Sequence, residues 1–136
     1  MKIDQEYLKK LLEAFEAAEG PVTDIRALQD AGLDYEDDAF VFHFELLNDQ
    51  SLIAREDGKR GFGFTRGLSG HSSWVVTPLR LTAAGHEFLE ALRDKEVWST
   101  LKTSFKDASL ATMVKVATTV LEAVVKTKVN KAMGIT

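Results

Sequence analysis

The chain has 136 residues, is 45% hydrophobic and 28% charged, and carries a formal net charge of −4. That balance excludes a disordered chain and suits a single globular domain over 1–136, large enough to fold without metal or disulfide. The absence of cysteine removes disulfides, thiolate metal sites and cysteine nucleophiles, and points to a cytoplasmic setting.

In chain order, Asp4 caps a first helix with Tyr7, Leu8, Leu11, Leu12 and Phe15 at helical spacing. Its start, MKIDQEYLKKLLEAF, is amphipathic and lacks a signal-peptide core. No later run reaches the roughly 20 apolar residues of a membrane span. Gly20-Pro21 stops this helix. Thr23 or Asp24 caps a second, ended by Gly32, and a third is expected over 34–48 with acids in its first turn. Strands are expected at 51–56 and 74–81. Between them lie five glycines over 58–70, predicting a long, mobile hairpin tip. Pro78 predicts that its strand is an edge or ends there. Thr82 caps a fourth helix packed through Phe88, Leu89 and Leu92. A helical period continues after a break near Asp94, and Ser109 caps a last helix over 110–133.

Three helices and a β-hairpin predict an α+β, mostly α winged helix-turn-helix core over 1–94. Residues 95–136 form additional C-terminal helices, in the usual place of a dimerisation arm. The run LTAAGHEFLEALRD, followed by Val97-Trp98, with Leu46-Leu47, Leu52-Ile53 and the amphipathic last helix, resembles an uncharacterised bacterial and prophage domain-of-unknown-function family. The resemblance spans nearly the whole chain. It implies a winged-helix fold akin to small bacterial regulators and no established chemistry.

No catalytic residue, metal site or cofactor is expected. His86-Glu87 lacks the second imidazole of HExxH. His43 falls on the inner face of the third helix with Phe40, Phe44 and Leu47, as a core histidine bonded to a nearby carbonyl. Gly61-Phe62-Gly63 has no third glycine at dinucleotide spacing and leads to a strand, and Ser69 is not in a GxSxG elbow.

Three surfaces carry expectations. The first is the wing, where Lys59, Arg60, Arg66 and His71 could follow double-stranded DNA in a minor groove. Alternatively, Phe62 and Phe64 point inward and the cations are a solvated face. The second is the third helix, in the recognition-helix position. It has an inner arc of Ala39, Phe40, His43, Phe44, Leu46 and Leu47, and an outer arc of Asp38, Val41, Phe42, Glu45 and Asp49. Residues 34–50 hold six acids and no Lys or Arg, which would repel a duplex. Val41 and Phe42, exposed among acids, are instead expected to anchor a protein partner unless the wing or a second subunit covers them. The third is the last helix, where Leu110, Met113, Val114, Ala117, Leu121, Val124 and Val125 form an apolar arc broad enough for a homodimer. A basic membrane-surface helix is the rival, with four lysines against one glutamate a mild bias for that role.

Charge is uneven along the chain. Residues 1–94 hold 10 Lys/Arg against 18 Asp/Glu, and 95–136 hold 7 against 3. An acidic body with a basic tail is a poor general footprint for nucleic acid. Two functions follow as expectations. One is a small, dimeric winged-helix DNA-binding transcription regulator of phage or prophage type. The other is a non-enzymatic protein-interaction module, a partner adaptor or DNA mimic, that uses the acidic third helix.

Overall fold

A computed structural model describes residues 1–134 of the chain. The order is α1 (Gln5–Glu16), α2 (Ile25–Asp30), α3 (Asp38–Asp49), β1 (Ile53–Arg55), β2 (Phe64–Arg66), β3 (Ser72–Trp74), β4 (Leu79–Leu81), α4 (Ala83–Arg93), α5 (Lys95–Ser104) and α6 (Leu110–Ala132). The chain is α+β and mostly helical, in a winged-helix layout. β1 pairs antiparallel with β4, with Ile53 opposite Leu81, and Thr23 bridges to Leu79 on the other side. β4 is therefore the central member of a small sheet. Pro78 lies just before it, where its missing N–H costs no ladder bond, and its carbonyl accepts from Glu56 N at 3.0 Å. The strand expected over 74–81 is divided, because 75–78 belong to neither ladder.

Capping follows local chemistry. Asp4 accepts from the Glu6 and Tyr7 amides, Asp24 from Arg26 and Ala27, and Asp94 from Glu96 and Val97. Each satisfies donors that the first turn leaves free. The third helix begins at Asp38 rather than 34. Residues 34–37 form a turn in which the Asp34 side chain accepts from Glu36 N at 2.9 Å.

The core is continuous from α1 to the first half of α6. Leu8, Leu11, Leu12, Phe40, Phe44, Leu47, Leu79, Leu89, Val97, Leu101, Leu110, Met113 and Ala117 are all buried. Burying each of the larger side chains contributes about 1.5–3 kcal/mol. Buried Gln5 ties α1 to α5 by donating to the Leu101 carbonyl at 3.1 Å and the Phe105 carbonyl at 3.3 Å. The start of the expected arm is thus built into the body.

His43 sits in this core as its spacing predicts. Its Nδ1 lies 2.6 Å from the Ala39 carbonyl, and its Nε2 accepts from the Asp4 amide at 3.0 Å. That network assigns the neutral tautomer with the proton on Nδ1. Burial holds its pKa below the ordinary value, with the Ala39 carbonyl and Asp4 pulling weakly the other way. A depressed folded pKa means that the unfolded chain takes up the proton first as pH falls. The contribution to stability is therefore complete above about pH 6.5 and is lost as pH falls toward the folded pKa. Urea midpoints should drop between pH 7.5 and 5.5 in the wild type, and less so in His43→Gln.

Candidate interaction surfaces

The 58–70 segment is not an open loop. Its second half forms, with residues 71–74, a second hairpin of β2 with β3, in which Phe64 faces Trp74 and Arg66 faces Ser72. Gly63 makes the hairpin possible. It has φ +93, and a Cβ there would fall 2.4 Å from the Val75 carbonyl. Val75 N in turn donates to Gly63 O at 2.8 Å.

This hairpin folds back onto α3. Phe62 is buried, with its ring 5.5 Å from Phe44 and 5.7 Å from Trp74. Trp74 meets Phe40 edge-on at 5.7 Å and Tyr35 at 6.0 Å, and its indole N–H donates to the Tyr35 carbonyl at 3.2 Å. Such aromatic contacts are worth about 0.5–1.5 kcal/mol each beyond their burial. The inward alternation of Phe62 and Phe64 thus wins over a free wing. Arg66 pairs with Glu45 of α3 and lies over the Phe64 ring at 5.1 Å. The pair is exposed and contributes at most about 1 kcal/mol, so the aromatics hold the wing down.

Between wing and α3 remains a cleft of about 600 Å³, walled by Tyr35, Phe64 and Trp74 and rimmed by Glu36, Asp38 and Arg66. Glu36 and Asp38 are exposed and make no ion pair among the described residues. With Glu45 matching Arg66, the cleft carries net negative charge.

The structure redistributes the residues singled out from sequence. Of the wing set, Lys59 and Arg60 are exposed beside β1, and the Lys59 amide donates to Asp57 at 3.0 Å. His71 is exposed at the hairpin tip, while Arg66 is taken up by Glu45. The outer arc of α3 is split. Asp38, Val41 and Glu45 face the wing, with Val41 half-buried in the cleft. Phe42 is half-buried on the other flank, in a depression with Ile3, Leu46 and Ala108. Asp49 is exposed at the helix end. The expectation that Val41 and Phe42 stand exposed is corrected: the wing covers the first, and the α5–α6 connection shelters the second. Tyr35, Glu36, Phe64 and Trp74 were not singled out as binding residues. Phe64 was read only as an inward residue of the hairpin, and Tyr35 and Glu36 only as part of the first turn of the third helix.

The dimer arc is corrected in the same way. Leu110, Met113 and Ala117 are buried against the chain's own α4 and α5, which removes them from any outer face. Val114, Leu121 and Val124 are half-buried, and Val125 is exposed. His86 is exposed and forms no ion pair with Glu90 among the described residues. No three His, Asp or Glu side chains among the described residues are grouped to hold a metal ion. No helix among the described residues is long and apolar enough to cross a membrane.

A family model described as "Hypothetical protein (DUF2513)" matches residues 2–111. An uncharacterized protein of Haemophilus influenzae (strain ATCC 51907 / DSM 11121 / KW20 / Rd) is 30% identical over 98 residues, covering 69% of this chain and 75% of that relative. No solved structure matches significantly.

Proposed function

This chain belongs to the DUF2513 family of hypothetical proteins, and on that premise we propose that it is a cytoplasmic, non-enzymatic winged-helix protein-interaction module. Its acidic cleft between α3 and the wing takes a basic segment of a protein partner. One observation carries this reading. The helix in the DNA-reading position has no cation, and the wing cation nearest it is tied to Glu45. Carboxylates on that face repel phosphate and attract Lys or Arg. The walls of Tyr35, Phe64 and Trp74 suit a cationic side chain laid over aromatic faces, worth about 0.5–2 kcal/mol according to desolvation.

A second reading, the DNA-binding regulator of phage or prophage type, is favoured by Lys59 and Arg60. Both are exposed at the root of the wing and make no ion pair among the described residues. Duplex contact there would use the wing root instead of α3.

One experiment separates the two. Fluorescence anisotropy of a labelled Lys/Arg-rich peptide and of a mixed-sequence duplex is measured at low and moderate salt. The protein is compared with Glu36→Lys/Asp38→Lys and with Lys59→Ala/Arg60→Ala/Arg66→Ala. The module reading expects peptide binding that the acid reversal abolishes, and no duplex binding. Duplex binding that the triple variant removes would establish the regulator instead.

A further inference from the structure

The second half of α6 is only partly covered by the other described residues. Ala117 is fully buried, but Val125 and Val129 are each 47% exposed and Met133 67% exposed. With half-buried Leu121, these residues step by four along the helix, so they form one apolar ridge running out of the core. No described residue beyond Ala117 is buried. This last stretch is rich in β-branched residues, Val124, Val125, Thr127 and Val129, which are weak helix formers. It continues a 23-residue helix already nucleated in the core, so it needs no cover to form, but its apolar ridge would gain by burial against an outside surface.

The surface that matches it is on the same molecule. A groove of about 390 Å³ lies between α4 and α6, with an apolar floor that includes Ala91, Leu121 and Val125. Its rim carries Glu87, Glu90 and Glu122 with Lys126, a net acidic balance, and none of these is ion-paired among the described residues. The ridge is flanked by Lys126, Lys128 and Lys131, also without ion pairs among the described residues. A basic ridge and an acid-rimmed groove on one surface are self-complementary, as a twofold dimer requires.

We infer that two copies of the chain pack α6 against α6 in antiparallel fashion about Val125, each ridge seated in the other copy's α4–α6 groove. This register sets Val129 against Leu121 of the second copy and Lys126, on the groove side of the ridge, beside its Glu122. It moves the self-association surface away from Leu110, Met113 and Ala117 to the projecting end of the helix and the exposed side of α4.

The test is sedimentation of the full chain, with circular dichroism as a check on folding. The wild type should sediment at twice 15.1 kDa. Val129→Asp, at an exposed site, should yield folded monomer. Glu122→Lys and Lys126→Glu should each weaken association about tenfold at low salt, and the double reversal should restore it. A wild type that stays monomeric overturns the inference, as does a dimer indifferent to Val129→Asp or a double reversal no tighter than the singles. A monomer that instead co-floats with phosphatidylserine-containing vesicles overturns it in favour of a membrane surface.

Discussion

Replacing Gly85 with alanine is expected to destabilise the protein by about 2–4 kcal/mol. Helix propensity alone gives the opposite sign, since alanine within a helix is better than glycine by about 1 kcal/mol. The contact decides. A Cβ at Gly85 would lie 2.1 Å from the Leu52 carbonyl oxygen and 3.1 Å from its carbon, so backbone would have to move. That backbone is held on several sides. Leu52 N donates to Leu47 O at 2.9 Å, and Thr82 N donates to Leu52 O at 3.0 Å. Thr82 Oγ1 donates to Ser51 O at 2.7 Å and accepts from Gly85 N at 3.1 Å. Ser51 itself is held at φ 56, a left-handed conformation costly for a non-glycine residue. The turn leaving α3 and the cap of α4 are thus one interlocked unit, and the added methyl would have to push it apart. Urea unfolding of Gly85→Ala should show a lower midpoint. Gly20→Ala, with nothing within 4 Å of its added Cβ, should stay within a few tenths of a kcal/mol of wild type.

Trp74→Ala should cost about 3 kcal/mol, the low end for truncating a large aromatic, because Trp74 keeps some solvent contact. Its ring touches Tyr35, Phe40, Phe44, Phe62 and Phe64, so it is the pin between wing and helix. The loss should fall mainly on the hairpin. Phe40 and Phe44 still pack against each other, centroid to centroid at 4.4 Å. The expected result is a lower overall stability together with a hairpin more readily cut by protease, while β1–β4 remains paired. If the hairpin stays resistant, aromatic docking is not what holds it.

The parts of this fold that were legible in the sequence are those governed by near neighbours. Asp4, Thr82 and Ser109 announced their helices because an N-cap bonds amides two or three residues away. His43 could be placed with Phe40, Phe44 and Leu47 because a helix repeats every 3.6 residues. In LTAAGHEFLEALRD, periodicity identified Phe88, Leu89 and Leu92 as core. It was silent on Gly85, whose need arises from a carbonyl on the far side of the wing. Arg93 is similar: its bidentate pair with Glu16, at 2.7 and 3.0 Å, joins α4 to α1 and holds the Glu16 carboxyl below its ordinary pKa.

The candidate surfaces were only half legible. Counting charges gave the acidic α3, but not that the wing lies across it. That depends on a tryptophan reaching a carbonyl 39 positions away. For α6, the apolar arc was visible along its length. Where the chain's own cover thins, after Ala117, depends on where α4 and α5 lie, and a one-dimensional pattern cannot show that.

The docked wing covers Val41 of α3 and builds the acidic cleft on which the proposed function rests. Native-state hydrogen exchange tests it most directly, by comparing the Gly67 and Val75 amides, bonded to His71 and Gly63 carbonyls at 2.6 and 2.8 Å, with those of β1 and β4. Docking predicts that the hairpin amides are protected well above unfolded-chain rates and lose that protection selectively in Trp74→Ala. Hairpin amides that exchange at unfolded-chain rates while β1 and β4 stay protected would contradict it, leaving a free wing and an open α3.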